Sequence, residues 1–333
     1  MILVTGATGF VGKAVIQRLL AEDESRRVAV AVRRGGQQWP ERVLPRVTGN
    51  LEPSTDWSVA LGGASAVVHC AARVHVMSDT ATNPLAEFRR VNVQGTLNLA
   101  RQAATAGVQR FIFLSSIKVN GEATPAPHPC PLPGARGKER ENFSADDVPA
   151  PEDPYGISKM EAEAGLRQIA AQTGMAVVII RPPLVYGPGV KANFAALMRA
   201  TQRGWLLPLG AVHNQRSLVA LDNLVDLIAT CLTHPAAANQ TFLVSDGEDV
   251  STTELLRRMG KAMGRPARLL PVPTGLLKLA ATIVGRRDMA QRLYGSLQVD
   301  IEKTRRLLDW TPPLSLDEGL RKAAKGYGHE AGL

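Results

Sequence analysis

Met1-Ile2-Leu3-Val4-Thr5-Gly6-Ala7-Thr8-Gly9-Phe10-Val11-Gly12, residues 1–12, runs from a short β-branched apolar stretch into three regularly spaced glycines. Lys13-Ala14-Val15-Ile16-Gln17-Arg18-Leu19-Leu20 follows, with Val15, Ile16, Leu19 and Leu20 at helical spacing. A strand entering a glycine turn that opens a helix is the order expected of a phosphate-cradling unit. Gly6 permits the tight turn, Gly9 lets the backbone approach a pyrophosphate closely, and Gly12 lets the helix pack against the strand. The unpaired N–H groups of the helix N-terminus face the same anion. Strand, spacing and helix agree, so a plain surface turn is a poor account of this stretch.

Outward from it, strand and helix signals alternate, which predicts an α/β doubly wound parallel sheet of six or seven strands. Val28–Val32 reads as a second strand, and Ala66–Ala72 as another. A helical stretch from about Pro84 to Ala106 contains Asn92-Val93-Gln94-Gly95-Thr96, and Arg110–Ser116 and Met175–Arg181 read as further strands. After Tyr186-Gly187-Pro188-Gly189 the alternation weakens into helices, turns and short strands, which suggests a smaller lobe over the mouth of the sheet. The expected division is a dinucleotide-binding domain over 1–187, with 215–234 returning to it, and a substrate-binding lobe over most of 188–333. No internal repeat is visible. From Glu122 to Pro154, prolines and glycines crowd a long loop, which reads as an active-site cover or a tolerated insertion.

Composition narrows the class. The chain has 333 residues, 45% of them hydrophobic and 21% charged, enough for a large core in about two domains and against global disorder. The first strand starts at Met1, and no apolar run is long enough to span a membrane, so a cytoplasmic protein without a leader or membrane span is expected. Cys70, Cys130 and Cys231 are widely separated and form no C-x-x-C pair, so they read as free thiols with no disulfide framework and no metal site. The net charge of +9 is scattered, with no basic stripe interleaved with aromatics, which speaks against nucleic acid.

Tyr155-Gly156-Ile157-Ser158-Lys159 places a phenol and an ammonium on one helix face. A lysine beside a tyrosine favours the phenolate, the equipment of a general acid/base. Alone, the pattern demands only two residues and most often marks an exposed amphipathic helix. Beside the glycine turn it gains meaning.

Together with His69-Cys70-Ala71-Ala72, Asn92-Val93-Gln94-Gly95-Thr96, Leu114-Ser115-Ser116, Arg181-Pro182 and Val185-Tyr186-Gly187-Pro188-Gly189, these motifs make the chain resemble the extended short-chain dehydrogenases/reductases of the NAD-dependent epimerase/dehydratase type, the group that includes UDP-glucose 4-epimerase. The resemblance spans nearly the whole length and implies a Rossmann-like fold, an oxidoreductase acting on a UDP-linked sugar, and a homodimer. It implies that Tyr155 is the acid/base, that Lys159 binds the nicotinamide ribose and lowers the Tyr155 pKa, and that Ser116 hydrogen-bonds the reacting oxygen. Ser115 remains open for that last role, and Asn120 stands where tyrosine is usual. The cofactor contacts it implies are Gly6, Thr8, Gly9, Phe10, Val11, Gly12, Leu51, Ala71, Ala72, Asn92, Tyr155, Lys159, Pro182 and Val185. Asn50 falls where the group often has an adenine-contacting Asp. Asn92 could instead only tie backbone elements together.

Arg33 and Arg34 follow the second strand, where an NAD site usually carries a carboxylate and an NADP site an arginine. They favour NADP(H), with NAD(H) the alternative. The stretches 71–77 and 115–122 are also similar to bacterial reductases of UDP-4-keto-6-deoxy-N-acetylhexosamines in surface-polysaccharide pathways. The expectation is therefore reduction of a sugar C4 ketone by NADPH; a 4-epimerase with retained NAD is the alternative, and a non-catalytic dinucleotide sensor a distant third. On the substrate side the resemblance points to His75, Ser116, Lys118, Tyr155, Asn193 with Phe194, and Arg216, whose fork suits a diphosphate. Ser217 follows where Asp is frequent. Asp222, Asn223 and Asp300 read as helix caps, and the apolar run from Leu269 to Val284 as core of the smaller lobe.

Overall fold

The computed structural model describes residues 1–74, 83–124, 142–277 and 293–330. Its strands are β1 (Ile2–Thr5), β2 (Val28–Val32), β3 (Val43–Val47), β4 (Ala66–His69), β5 (Arg110–Leu114), β6 (Ala176–Arg181), β7 (Leu184–Tyr186), β8 (Leu206–Leu207), β9 (Arg216–Ala220), β10 (Thr241–Leu243), β11 (Asp249–Val250) and β12 (Arg268–Leu269). Seven of them make one sheet in the spatial order β10-β6-β5-β4-β1-β2-β3, with every neighbouring pair parallel. This is the doubly wound order, whose direction reverses between β1 and β4. β7, β9 and β11 form a second, three-stranded sheet, and β8 pairs with β12.

The sheet strands are apolar on both faces because both faces are covered. One face packs on α1 (Phe10–Glu22), with Val15, Ile16 and Leu19 meeting Val4, Val30 and Val68. The opposite face packs on α2 (Ser58–Leu61), and α3 (Pro84–Phe88) leads through a π-helical turn, Arg89–Gly95, into α4 (Thr96–Thr105). α5 (Pro154–Thr173) lies beside α4, and Leu99, Ala162 and Leu166 share that second core with Phe111 and Val177. The helix expected over 84–106 is thus a chain of three helical segments. β3 is a strand the sequence pattern did not predict. Pro45 lies within it, which an edge strand tolerates because one side needs no ladder donors.

Further helices are α6 (Ala192–Gln202), α7 (Leu221–Thr233), α8 (Thr252–Ala262), α9 (Glu302–Leu308) and α10 (Leu316–Glu330). α7 returns to pack on the α1 face through Leu224, Leu227 and Ile228. A separate core joins Phe194, Met198, Leu218, Leu256, Met259 and Leu320. Of the apolar run expected as core, Leu269 packs there, Leu270 and Leu276 are exposed, and 278–284 lie outside the described residues. Of the proline-rich segment, 125–141 lie outside them. Its flanks are tied down: Thr124 N–H donates to Ser296 O at 2.9 Å and Phe143 N–H to Gln298 O at 2.9 Å.

The join between β1 and α1 leaves no room for side chains. A Cβ on Gly12 would lie 2.2 Å from the Gly6 carbonyl oxygen, and one on Gly6, whose φ is +67°, would lie 2.7 Å from Ala71 N. Gly12→Ala is expected to destabilise the fold by roughly 1–3 kcal/mol, the usual cost of overpacking, read as a lower urea midpoint at unchanged slope.

Candidate active site

The carboxyl ends of β1 and β4 are joined by a buried polar chain. Thr5 Oγ1 lies 2.7 Å from His69 Nδ1 and accepts from Ala71 N–H at 3.2 Å, while His69 Nε2 lies 3.0 Å from Thr96 Oγ1. The chain is satisfied when the Thr5 hydroxyl donates to Nδ1 and Nε2–H donates to Thr96. Burial, reinforced by the Lys159 charge, pushes the His69 pKa down to about 3, so this imidazole is a neutral tie. Burial also pushes the Cys70 thiol up to about 12, which makes it unreactive. The described cysteines Cys70 and Cys231 are both free thiols, as expected.

Asn92 performs the tying role. Its Oδ1 accepts from Arg73 N–H at 2.7 Å, and its Nδ2 donates to Arg73 O at 3.0 Å and to Ser158 Oγ at 3.0 Å. Ser158 in turn donates to Tyr155 O at 2.7 Å. The loop after β4 is thereby fixed to the first turn of α5.

That turn is capped by Asp153, whose Oδ1 accepts from Gly156 N–H at 2.6 Å. Tyr155 follows, half-buried and edge-on to Phe88 at 6.0 Å between ring centroids. Lys159 is 2% exposed; its Nζ donates to Leu114 O at 2.8 Å and sits 4.4 Å from the Phe113 ring centroid and 5.9 Å from that of Tyr155. Burial pulls the Lys159 pKa down to about 8, against the pull of Cys70 and Glu163 in the other direction. The expected lowering of the Tyr155 pKa is not what this geometry gives. Burial, and then the Asp153 carboxylate, raise it.

The two serines after β5 are used differently. Ser115 is 3% exposed and donates to Glu163 Oε1 at 2.6 Å. Ser116 is half-buried, and its Oγ accepts from Lys118 N–H at 3.3 Å. Lys118 Nζ is held by Glu122 Oε1 at 2.7 Å and by Asp153. Ala71 and Ala72 follow β4, and buried Pro182 accepts from Ile117 N–H at 3.0 Å. These groups gather at the carboxyl edge of β1, β4, β5 and β6.

Other expected contacts fall elsewhere. Phe194 is buried and stacked on Tyr186 at 5.3 Å, so it belongs to the core, while Asn193 beside it is exposed. Arg216 is half-buried and donates to Gly295 O at 3.1 Å; burial lowers its pKa. Ser217 Oγ donates to Asp249 Oδ1 at 2.5 Å and accepts from Val299 N–H at 2.9 Å, a structural tie. Asp222 and Asn223 are not side-chain caps. Asp222 pairs with Lys322 at 2.5 Å, and fully buried Asn223 bonds Asp246 and Leu314. Asp300 accepts the Glu302 N–H at 2.8 Å from one residue outside the cap position, which Ile301 occupies without a side-chain bond. Arg33, Arg34 and Asn50 are exposed, Leu51 is half-buried, and His75 lies outside the described residues. The sequence reading missed Thr5, His69 and Glu163; only the position of Glu163, one helical turn past Lys159, signalled it.

The glycine turn fits a dinucleotide's pyrophosphate. Thr8 and Gly9 are exposed, Phe10 and Val11 half-buried, and Gly9 is the N-cap of α1, with no side-chain cap on the helix's leading N–H groups. A cavity of about 920 Å³ opens beside it, lined by Thr8, Gly9, Phe10, Pro188, Asp222 and Lys322 among others, without reaching Tyr155.

The family model described as "NAD dependent epimerase/dehydratase family" matches residues 2–245. The chain belongs to this family. It is 49% identical over 327 residues, covering 98% of this chain and 95% of the relative, to a UDP-glucose 4-epimerase of Vibrio cholerae. Among solved structures, MoeE5 in complex with UDP-glucose and NAD matches with a TM-score of 0.73 and 25% identity, covering 99% of both chains. UDP-glucuronic acid 4-epimerase from Bacillus cereus, in complex with NAD, matches with a TM-score of 0.76 and 20% identity, covering 98% of this chain and 96% of that one. The enzyme is of the short-chain dehydrogenase/reductase type, with the expected Rossmann-like fold, and among its described residues no helix is long and apolar enough to cross a membrane.

With the Lys159 pKa near 8, its ammonium is lost as the pH rises through that value. Turnover is expected to fall above about pH 8, read from a kcat profile. In folding, the depressed pKa means the unfolded chain binds the extra proton between about 8 and 10.5, so this group's contribution to stability rises with pH across that window. Lys159→Met is expected to be at least as stable as the parent at pH 7, with the difference shrinking toward pH 10.

Proposed function

We propose that the protein is a UDP-sugar 4-epimerase that retains NAD, the observation carrying this being the 49% identity over 98% of the chain to UDP-glucose 4-epimerase of Vibrio cholerae. The site supports it: Tyr155 and Lys159 share the first turns of α5, and Ser116 follows the strand end to which Lys159 is bonded. Bound NAD supplies a hydride acceptor that, once reduced, is also the donor. Tyr155 takes the proton of the C4 hydroxyl as the C4–H bond breaks, and returns it when that bond re-forms on the opposite face of the sugar. Protons and electrons balance without external reductant.

Burial and Asp153 favour the neutral phenol, which suits the donating half of this cycle. The accepting half draws on the Lys159 ammonium, whose charge favours the phenolate. Ser116, whose hydroxyl is not drawn into the core as that of Ser115 is, holds the sugar oxygen and offsets its developing charge. Asn193 and Arg216 are the proposed substrate contacts on the far side, Arg216 toward the diphosphate, and Lys118 borders the site through Asp153. The division into a dinucleotide domain over 1–187 with 215–234 and a substrate lobe over the rest, a homodimeric state and a cytoplasmic location belong to the same reading.

NADPH-dependent reduction of a C4 ketone, expected from Arg33 and Arg34, is the weaker reading. The named relative is an epimerase, and NAD is the dinucleotide in both solved complexes. A non-catalytic sensor is weaker still, because Tyr155 and Lys159 are both in place.

Incubation with UDP-glucose and, separately, UDP-galactose, without added reductant, is expected to interconvert them with no net dinucleotide oxidation. Stoichiometric NADPH consumption with a 4-keto sugar, and no interconversion, would sink the proposal. Tyr155→Phe is expected to lower kcat about a thousandfold while leaving NAD affinity within about twofold of the parent, measured by fluorescence titration.

A further inference from the structure

We propose that Glu163 is a positioning residue of the hydride-transfer site, fixing through Ser115 the strand end that carries Ser116 and receives Lys159. The inference rests on the roles given above to Ser116, Tyr155 and Lys159. Lys159 and Glu163 are four residues apart on α5 and so project from one face. They grip consecutive residues at the end of β5: the Lys159 ammonium donates to Leu114 O at 2.8 Å, and Glu163 Oε1 accepts from Ser115 Oγ at 2.6 Å. Ser116 is the next residue, so its hydroxyl is set by how those two are held.

Glu163 is itself immobilised. It is wholly buried, and Arg181 of β6 donates to it twice, from Nε to Oε1 at 2.9 Å and from an Nη to Oε2 at 2.6 Å. Arg167 adds a third contact to Oε2, at 3.0 Å. The remaining arm of Arg181 donates to Asn120 Oδ1 at 2.9 Å, and Asn120 Nδ2 donates to Ser144 O at 2.7 Å. Asn120, which stands where the family usually has tyrosine, thus extends the grip to the loop leading to α5. Every acceptor of Glu163 that the geometry reveals is spent on β5, β6 or α5, and none faces outward.

The network is also electrical. The groups facing Lys159 are Cys70 and neutral His69 from the β4 end, the Phe113 ring from β5, and Tyr155 and Glu163 from its own helix. Cys70 and then Glu163 favour the ammonium; with burial keeping the Cys70 thiol protonated, the Glu163 carboxylate is the negative charge among them near neutral pH. Arg181 offsets part of that charge, which is why the carboxylate can be buried at all.

The test has two arms. Ser115→Ala removes only the hydroxyl link. It is expected to lower kcat for UDP-sugar interconversion about tenfold, as a small misplacement of reacting groups does, with KM within about twofold and the protein still folded at the assay temperature. Parental kcat in Ser115→Ala would overturn the proposal. Glu163→Gln keeps an acceptor for Ser115 and removes the charge. In lysine-¹³C-labelled protein, with the Lys159 signal identified by its loss in Lys159→Met, the titration midpoint of Lys159 is expected to fall by roughly one pH unit. An unmoved midpoint in folded Glu163→Gln overturns the proposal independently of any turnover. If the parent enzyme interconverts no UDP-sugar, the functional reading fails, and the lysine titration still decides the place of Glu163.

Discussion

The fold hangs on one close approach, the carbonyl of Gly6 against the backbone of Gly12. No side chain fits between them, and Gly6 is pressed as tightly on its other side by the start of the loop after β4. The end of β1, the start of α1 and the exit from β4 therefore form one rigid corner. It lies where the strand order reverses, the position at which a doubly wound sheet opens a crevice. The buried Thr5–His69–Thr96 chain closes the same corner from beneath with neutral groups, so the crevice is held without spending a charge.

The other half of the site is held by buried charge. Lys159, Glu163 and Arg181 are each almost wholly excluded from solvent, in a region where an unpaired ion would cost several kcal/mol. The Glu163–Arg181 ion pair and the bond from Lys159 to the Leu114 carbonyl make this tolerable, and the result is a helix whose first turns are fixed to the ends of β5 and β6. The same exclusion from water weakens the lysine's hold on its proton and strengthens the tyrosine's. Rigidity and acid/base balance thus share one physical origin.

What could be read in the sequence was what depends on local spacing. The glycine turn, the alternating strands and the Tyr155–Lys159 pair are each set by residues close along the chain. The misreadings all turn on distant partners. Asn223 resembles a cap until Asp246 and Leu314, far along the chain, are seen to claim its amide. Phe194 sits in a motif associated with substrate, yet its ring is stacked on Tyr186. The choice between Ser115 and Ser116 depends on which way the strand end turns, and only the buried Glu163 shows that. β3 was hidden by Pro45, a breaker everywhere except at an edge. The direction of the Tyr155 shift depends on burial, which no spacing records.

The sheet also dictates an order of assembly during synthesis. β6 has β5 on one side, and its other neighbour, β10, comes from residues 241–243, some sixty residues later in the chain. Until that segment leaves the ribosome, β6 presents a row of unpaired backbone donors and acceptors along an apolar strand, a template for wrong partners. The nascent sheet therefore cannot be sealed when the residues of β1 to β6 are complete. It waits for a strand delivered after much of the second half has been made, so the two halves must mature together.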